Sequence, residues 1–398
     1  MKVVQINAIY GSKSTGVIMK DIHNMLVECG EESYVVSPEF TEKTDCAYKI
    51  ENYVGMKIHA LMTRITGKQA FYSSRATRKL IRWMDEVKPD IVHLHNLHGN
   101  YINLRILLEF LCKKEIAVVI TMHDCWYFTG KCFHYLESNC QKWQIECDEC
   151  PRKNDDVANW FLDKSNYVFQ EKKRLLLQIP NLTMVGPSRW ICGEAKKSFL
   201  KEKRIECIYN GIDTSIFNSK SKTVKGKYCP NAEFIILGMA DKWTNIQNRE
   251  IVGKVVSSLQ ENEVILLVGD KCALNELQSS KIVSIPYVYD RNELAEIYSM
   301  ADVFLNLSLA DTFPTVNMEA ICCGTPVITY DVGGCKETIK EGTGYVVPVN
   351  EADEVLAAID MIRMHSLKNC EDIGKDNFSK EKQYCQYLGL YHSILNGK

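Results

Sequence analysis

Two carboxylates separated by seven residues, four histidines at the ends of apolar runs and four clustered cysteines are the groups in this chain whose types and spacing could do chemistry. Asp311 lies in the loop that follows the apolar run ADVFLNL, and Glu319 lies on the second turn of the helix that this loop opens. The free N–H groups and positive dipole end of a helix start, set beside these carboxylates, form a place where a phosphate could dock. A carboxylate facing a cleft from such a helix is suited to gripping vicinal ribose hydroxyls. The competing reading is a solvated helix start whose acidic residues simply complement the dipole. His93, His95 and His98 stand at the end of one strand and in its loop, with Tyr101 beyond, and His123 ends the next apolar strand. His93 and His95 share a strand face, so metal binding, a polar acceptor-binding loop and structural hydrogen bonding are all open readings. Cys132, Cys140, Cys147 and Cys150, ending in Cys-x-x-Cys-Pro, suit a structural zinc site that rigidifies an insertion; free thiols or a disulfide are the alternatives.

The elements that must position these groups alternate from end to end. Val3 to Ile6, Tyr34 to Ser37, Ile91 to His95, Val118 to Met122 and Thr183 to Val185 read as buried strands, with helical periodicity over 16–29, 70–87, 100–113 and 188–200. The pattern restarts with strands at Phe234 to Gly238, Val264 to Val268, Val303 to Leu307 and Pro326 to Thr329, and helices at 247–260, 291–299, 315–323 and 352–364. Such alternation implies α/β architecture: two doubly wound, Rossmann-like domains, 1–210 with a Cys-rich insertion at 125–151, and 211–378. The join is expected near 211–228, and a last helix, 379–398, packs back across it. Open parallel sheets bind ligands at the carboxyl ends of their strands, which is where both carboxylates and the histidines fall.

Asp311-x7-Glu319 followed by Ala-Ile-Cys-Cys-Gly-Thr-Pro-Val-Ile resembles the Glu-x7-Glu motif of the family-four retaining glycosyltransferases of GT-B fold. Asp331-Val-Gly-Gly-Cys-Lys-Glu337, Gly342-Thr-Gly-Tyr-Val-Val-Pro348 and Tyr209-Asn-Gly-Ile-Asp213 extend the resemblance over nearly the whole chain, and the variant is similar to the branch of bacterial capsule, exopolysaccharide and O-antigen (colanic-acid-type) assembly. The resemblance implies transfer of a hexose-type sugar from a UDP- or GDP-sugar to a hydroxyl of a glycan or lipid-linked acceptor, across a cleft between the two domains and with no catalytic cofactor. It implies Glu319 as ribose ligand, Asp311 and His123 as donor-sugar contacts, and Thr312, Phe313, Pro314, Thr315 and Val316 as the surrounding nucleotide-sugar site. The family's Lys-Gly position, which neutralises the diphosphate, here reads Gln247-Asn248, so Lys242 or Arg249 must substitute, or helix N-termini must serve instead. In the resembled family the loop that corresponds to Tyr10-Gly-Ser-Lys-Ser-Thr-Gly16 approaches the diphosphate, which makes Gly16 the candidate and Lys13 a charge partner; His95, His98 and Tyr101 are the acceptor-side candidates.

Composition excludes other classes. A formal net charge of −2 over 398 residues offers no general attraction to nucleic acid. The N-terminus MKVVQINAIYG reads as a strand and turn rather than a signal peptide, and no apolar run is long enough to span a bilayer, so a cytoplasmic protein is expected. Segment 64–88 interleaves Arg64, Lys68, Arg75, Arg78, Lys79 and Arg82 with apolar residues. It reads either as a helix lying loosely on the inner membrane face or as an ordinary surface helix. An epimerase or phosphorylase of the same architecture, and a non-catalytic nucleotide-sugar or glycan binder, are the competing functions.

Overall fold

The computed structural model describes residues 1–156, 159–269 and 279–397. Near-continuous apolar runs become the central strands of two sheets, because a strand covered on both faces has no polar side. The first sheet holds β1 (Lys2–Ile6), β2 (Glu32–Ser37), β3 (Ala47–Lys49), β4 (Ile91–Leu94), β5 (Ala117–Thr121), β6 (Leu182–Gly186) and β7 (Arg204–Cys207). Their spatial order is β3-β2-β1-β4-β5-β6-β7, and every pairing is parallel. The second holds β8 (Phe234–Met239), β9 (Glu263–Val268), β10 (Ile282–Ile285), β11 (Val303–Asn306), β12 (Val327–Tyr330) and β13 (Gly344–Val347), again parallel, in the order β10-β9-β8-β11-β12-β13. In each sheet the order reverses once, between β1 and β4 and between β8 and β11. A crevice opens at such a reversal, beyond the carboxyl ends of the two strands.

The chain divides into two units, Met1–Asn210 with Glu381–Lys398, and Gly211–Lys380. The first unit therefore owns the last helix, Lys380–Asn396, whose Tyr384, Tyr387, Leu390 and Tyr391 are buried among Val3, Ile18, Ile22, Leu26 and Val119. Burying an apolar side chain of this size contributes about 1.5–3 kcal/mol, which explains why the chain returns to complete this face. The helix carries polar anchors as well: the Tyr387 hydroxyl bonds Thr121 at 2.8 Å and the Tyr391 hydroxyl bonds His93 Nδ1 at 2.7 Å.

The basic segment 64–88 is not one helix. It is split between the end of a helix at Tyr53–Thr66 and a second helix at Ser74–Val87. The second buries Ala76, Leu80 and Met84, while Trp83 packs its ring 4.8 Å from Tyr48 and 5.9 Å from Tyr34. Its apolar face is thus spent on the core, and Ser74–Val87 fits the second of the two readings, an ordinary surface helix.

Candidate functional site

In the second unit, the loops after β8 and β11 flank the reversal. The loop after β11 runs from Leu307 to Pro314 and opens the helix Thr315–Cys322, with proline in the capping position. Asp311 folds back on itself there, accepting the Phe313 N–H through Oδ1 at 3.0 Å, while its carbonyl accepts the Gly334 N–H at 3.0 Å. Gly333 crosses this point at φ 55°, and a Cβ there would lie 2.1 Å from the Asp311 carbonyl oxygen. Only glycine lets the loop after β12 approach so closely. A buried relay fixes the helix: Asn306 donates to Asn317 at 2.8 Å, Asn317 to Thr338 at 2.9 Å, and Thr338 to the Cys335 carbonyl at 2.6 Å. Thr312 beside Asp311 is buried, yet its hydroxyl has no hydrogen-bond partner among the described residues. A buried hydroxyl left unpaired costs about 1–3 kcal/mol, so a ligand that supplies the partner gains by that amount. Phe313 and Pro314 are buried under the loop, whereas Thr315 and Val316 are half-buried in the first turn.

Glu319 is half-buried on the same helix and accepts the Tyr298 hydroxyl at 3.2 Å through Oε2. Burial pushes its carboxyl above the ordinary range, against the pull of the Arg291 guanidinium. Arg291 begins the helix Arg291–Met300 and sits 5.1 Å over the Phe217 ring. Sequence reasoning missed it; a lone arginine after a strand-and-turn carries no spacing signal. The same applies to Tyr287 and Tyr289 beyond β10, which are 61% and 87% exposed with ring centres 4.8 Å apart. Tyr287 lies close enough to Tyr298 to raise its hydroxyl further, after burial itself.

Of the two substitute cations, Lys242 lies in the turn after β8, in the short helix Ala240–Trp243, and pairs with Asp241 at 3.1 Å. Lys242 and Asp311 both act electrostatically on the Cys335 thiol, so the two stand around one loop. Arg249 is exposed at the first turn of the helix Arg249–Ser258. Gln247 is exposed and Asn248 is fully buried. The Asn248 amide donates to the carbonyls of Lys242 at 2.9 Å and Leu307 at 2.8 Å, which ties the two flanking loops together. At the resembled family's Lys-Gly position this chain has an exposed neutral amide, Gln247, followed by a structural strut, Asn248.

In the first unit, the loop after β4 and the end of β5 bring the histidines together, with unequal roles. His123 alone of the strand-end pair His95–His123 is partly exposed; its Nε2 lies 3.0 Å from His95 Nδ1, with the rings stacked at 5.3 Å. His95 is fully buried, and its other nitrogen faces Gln5 Oε1 at 3.3 Å. It therefore supports His123 from behind and cannot meet an acceptor, which corrects its expected role. His93 is spent on Thr121 at 2.8 Å and on Tyr391, the structural alternative. Tyr101 is likewise in the core, its hydroxyl held by the Asn96 carbonyl at 2.8 Å, and it is not an acceptor-side group. His98 remains half-buried and pairs with Asp124 at 2.9 Å. Burial opposes the Asp124 charge, but His98 and the Trp126 N–H hold its carboxyl below the usual range. Gly16 falls inside the helix Lys13–Glu28, and a Cβ there would lie 3.1 Å from the Ile9 carbonyl oxygen and 3.1 Å from its side chain. The missing side chain serves that packing. Lys13 stands at the helix start with φ 54°.

Burial lowers His59 and His123 to about 4 and His93 to about 3. Imidazoles held neutral in the fold bind protons more readily when unfolded, so stability is complete above about pH 6.5 and falls as pH drops towards 4. Each contributes up to about 1.4 kcal/mol per pH unit within that window. Thermal melts from pH 8 to pH 4 are expected to be flat down to about 6.5 and then to fall; a melting temperature unchanged at pH 5 would refute the assignment.

The insertion after β5 gathers Cys132, Cys140, Cys147 and Cys150 around one cavity of about 20 Å³. Among the described residues no group of three or more His, Cys, Asp or Glu is arranged to hold a metal ion, and all described cysteines are free thiols. The zinc reading is corrected: the Cys147 sulfur accepts the Gly130 N–H at 3.1 Å, and the Cys132 and Cys150 thiols act on each other across the cavity. Through that contact Cys150 is lowered to about 7 while Cys132 is driven up. Trp143 and Phe128 pack behind the thiols, ring centres 5.0 Å apart. Sequence reasoning also missed Lys172, fully buried with its ammonium 4.0 Å over Trp126 and burial bringing it down to about 7.

Comparison with known proteins accounts for this arrangement. Residues 15–216 match the family model described as Glycosyltransferase Family 4, and residues 234–378 match Glycosyl transferases group 1. The chain is 23% identical over 329 residues to the putative colanic acid biosynthesis glycosyl transferase WcaC of Escherichia coli K12, covering 77% of each protein. Sucrose-phosphate synthase from Thermosynechococcus elongatus shares the fold with a TM-score of 0.73 at 16% identity, over 100% of both chains. Anabaena HepE, solved in complex with UDP, does so with a TM-score of 0.64 at 12% identity, over 99% of this chain and 100% of that one. The α/β architecture is therefore that of the GT-B glycosyltransferases, and the chain belongs to glycosyltransferase family 4.

Proposed function

We propose that this glycosyltransferase is a retaining enzyme that moves a hexose-type sugar from a UDP- or GDP-sugar to a hydroxyl of a glycan or lipid-linked acceptor, at the cytoplasmic face of the membrane, in cell-surface polysaccharide synthesis. The observation that carries the reading is the helix Thr315–Cys322 at the β8/β11 reversal, which presents Glu319, its Tyr298 support and the unpartnered Thr312 hydroxyl at one end of one sheet. Glu319 takes the ribose hydroxyls, Thr312 and the first turn take diphosphate oxygens, and Lys242 neutralises the leaving charge. The exposed Tyr287–Tyr289 pair offers a stacking face for the base. Asp311 and His123 contact the donor sugar; neutral at physiological pH, His123 serves as a hydrogen-bonding group.

In this reading the acceptor oxygen attacks C1 on the face from which the diphosphate leaves. The C1–O bond to phosphate breaks, the C1–O bond to the acceptor forms, and a departing phosphate oxygen takes the acceptor proton. Positioning and charge neutralisation are what the chain supplies, which matches a site rich in oriented donors. Binding without catalysis is favoured by one observation: Gln247-Asn248 stands where the family carries Lys-Gly, so a neutral amide replaces the cation. Thermal shift with UDP, GDP, ADP, dTDP and CMP on the purified protein separates the readings. Stabilisation by UDP or GDP alone, followed by release of that nucleotide from its sugar only when acceptor is added, is expected. Stabilisation without turnover would leave a binder; no shift with any nucleotide would overturn the site.

A further inference from the structure

The helix Tyr53–Thr66 is inside out. Its fully buried side chains are the polar His59 and Thr63, while Val54, Ile58, Leu61 and Ile65 are 65%, 58%, 46% and 36% exposed. Their spacing of four, three and four residues draws one stripe along the helix, and the stripe faces solvent instead of the core. Tyr53 extends it at the start, 72% exposed.

A second apolar group lies against the far end. The Trp160 N–H donates to the Arg64 carbonyl at 2.8 Å, and Gly67, left-handed at φ 72°, lets the Leu162 carbonyl pass where a Cβ would be 2.5 Å away. Trp160, Phe161 and Leu162 are 55%, 73% and 50% exposed there. Isolated exposed apolar residues are ordinary, but eight on two contacting segments form a patch that water alone does not favour.

Charge selects the occupant. The helix contains Lys57 and Arg64 and no acidic residue, and Lys68 follows it; Glu51, just before its start, has its carboxylate folded onto the first turn, where it accepts the Asn52 N–H at 3.0 Å. The nearest carboxylate in the second segment, Asp163, is occupied by the N–H groups of Cys150 and Ser165. An apolar stripe with Trp and Tyr at its ends and lysine and arginine at its flanks matches the interfacial zone of an anionic bilayer, where aromatic rings sit at headgroup depth and cations meet phosphate. We infer that this surface docks the protein onto an anionic lipid bilayer. The inference deepens the membrane-side part of the proposed function and rests on it only for its purpose; its test reads binding, not transfer, so each can fail alone.

The test is co-sedimentation of the full chain with vesicles of phosphatidylcholine alone and of phosphatidylcholine with 30 mol% phosphatidylglycerol. Binding to the anionic vesicles is expected, weakened at high salt. The double variant Ile58→Ser/Phe161→Ser should lower the partition coefficient at least about tenfold with an unchanged melting temperature, since both residues are exposed and each loses an apolar side chain that would be buried in the lipid. The control Met364→Ser, exposed on the other unit, should bind like the parent. Lys57→Glu/Arg64→Glu should remove the preference for anionic lipid. Absence of binding to anionic vesicles, or equal binding by the Ile58/Phe161 variant, overturns the inference. So does a concentration-dependent dimer that the same variant abolishes without any vesicle binding, which would make the patch an interface between two copies.

Discussion

Glu319→Ala is expected to abolish the thermal stabilisation given by the cognate nucleotide and to lower transfer by at least about 100-fold. A hydrogen bond to a charged group contributes about 1.5–3 kcal/mol, and two ribose hydroxyls on one carboxylate together correspond to about two to four powers of ten. The loss should appear mainly as weaker donor binding, because the ribose is remote from the reacting C1 and is held alike in ground and transition states. Glu319→Gln keeps the shape and one acceptor oxygen, so an intermediate loss is expected. Tyr298→Phe removes the 3.2 Å contact that orients the carboxylate and should cost about three- to tenfold. Titration calorimetry with the nucleotide, alongside transfer rates, checks the series. Nucleotide affinity within threefold of the parent in Glu319→Ala would sink the assignment of this helix as the ribose site.

Lys242→Met should act differently. Its side chain is 41% exposed and its ion-pair partner Asp241 is 70% exposed, so the fold loses little and the melting temperature should hold. If Lys242 neutralises the departing diphosphate, its charge matters most when the C1–O bond is breaking, and kcat should fall by about 10²- to 10³-fold with a smaller change in KM. Arg249→Met, changed at an exposed helix start, should fall less than tenfold. A reversal of the two effects would move the leaving-group role to Arg249. If neither variant loses activity, the helix N-terminus alone carries that charge. Asn248 cannot take the role, because both of its amide hydrogens are committed to carbonyls at 2.8 and 2.9 Å.

The central strands of both sheets were legible because burial on both faces favours near-continuous apolar runs, as in VVQI, IVHL, AVVIT and FIILGM. The strands that escaped reading are all edges. β3, β7, β10 and β13 are short and partly exposed, so their sequences AYK, RIEC, IVSI and GYVV need no continuous hydrophobicity, and their pairing is decided by the neighbour already in place. The helix Tyr53–Thr66 escaped for a related reason: periodicity shows that an apolar stripe exists but not which way it faces.

The sequence by itself determined the doubly wound alternation and the Asp311-x7-Glu319 helix start, since these rest on local spacing and on strand burial. It placed a carboxylate, a hydroxyl and a helix N-terminus within one loop and turn. Only the tertiary structure decided among side chains of equal local promise. It buried His95 and Tyr101 and left His123 partly exposed, because Tyr101 packs into the core around β4 and β5 while His95 lies between the rings of His93 and His123. It turned Asn248 into a strut between loops some sixty residues apart in sequence, whose Lys242 and Leu307 carbonyls meet only after folding. It drew four cysteines to one cavity as free thiols, with Cys132 and Cys150 close enough to shift each other, an outcome that spacing could not separate from a metal site. Spacing fixes which groups lie near each other along the chain; burial and long-range contact fix which of them remain free to act.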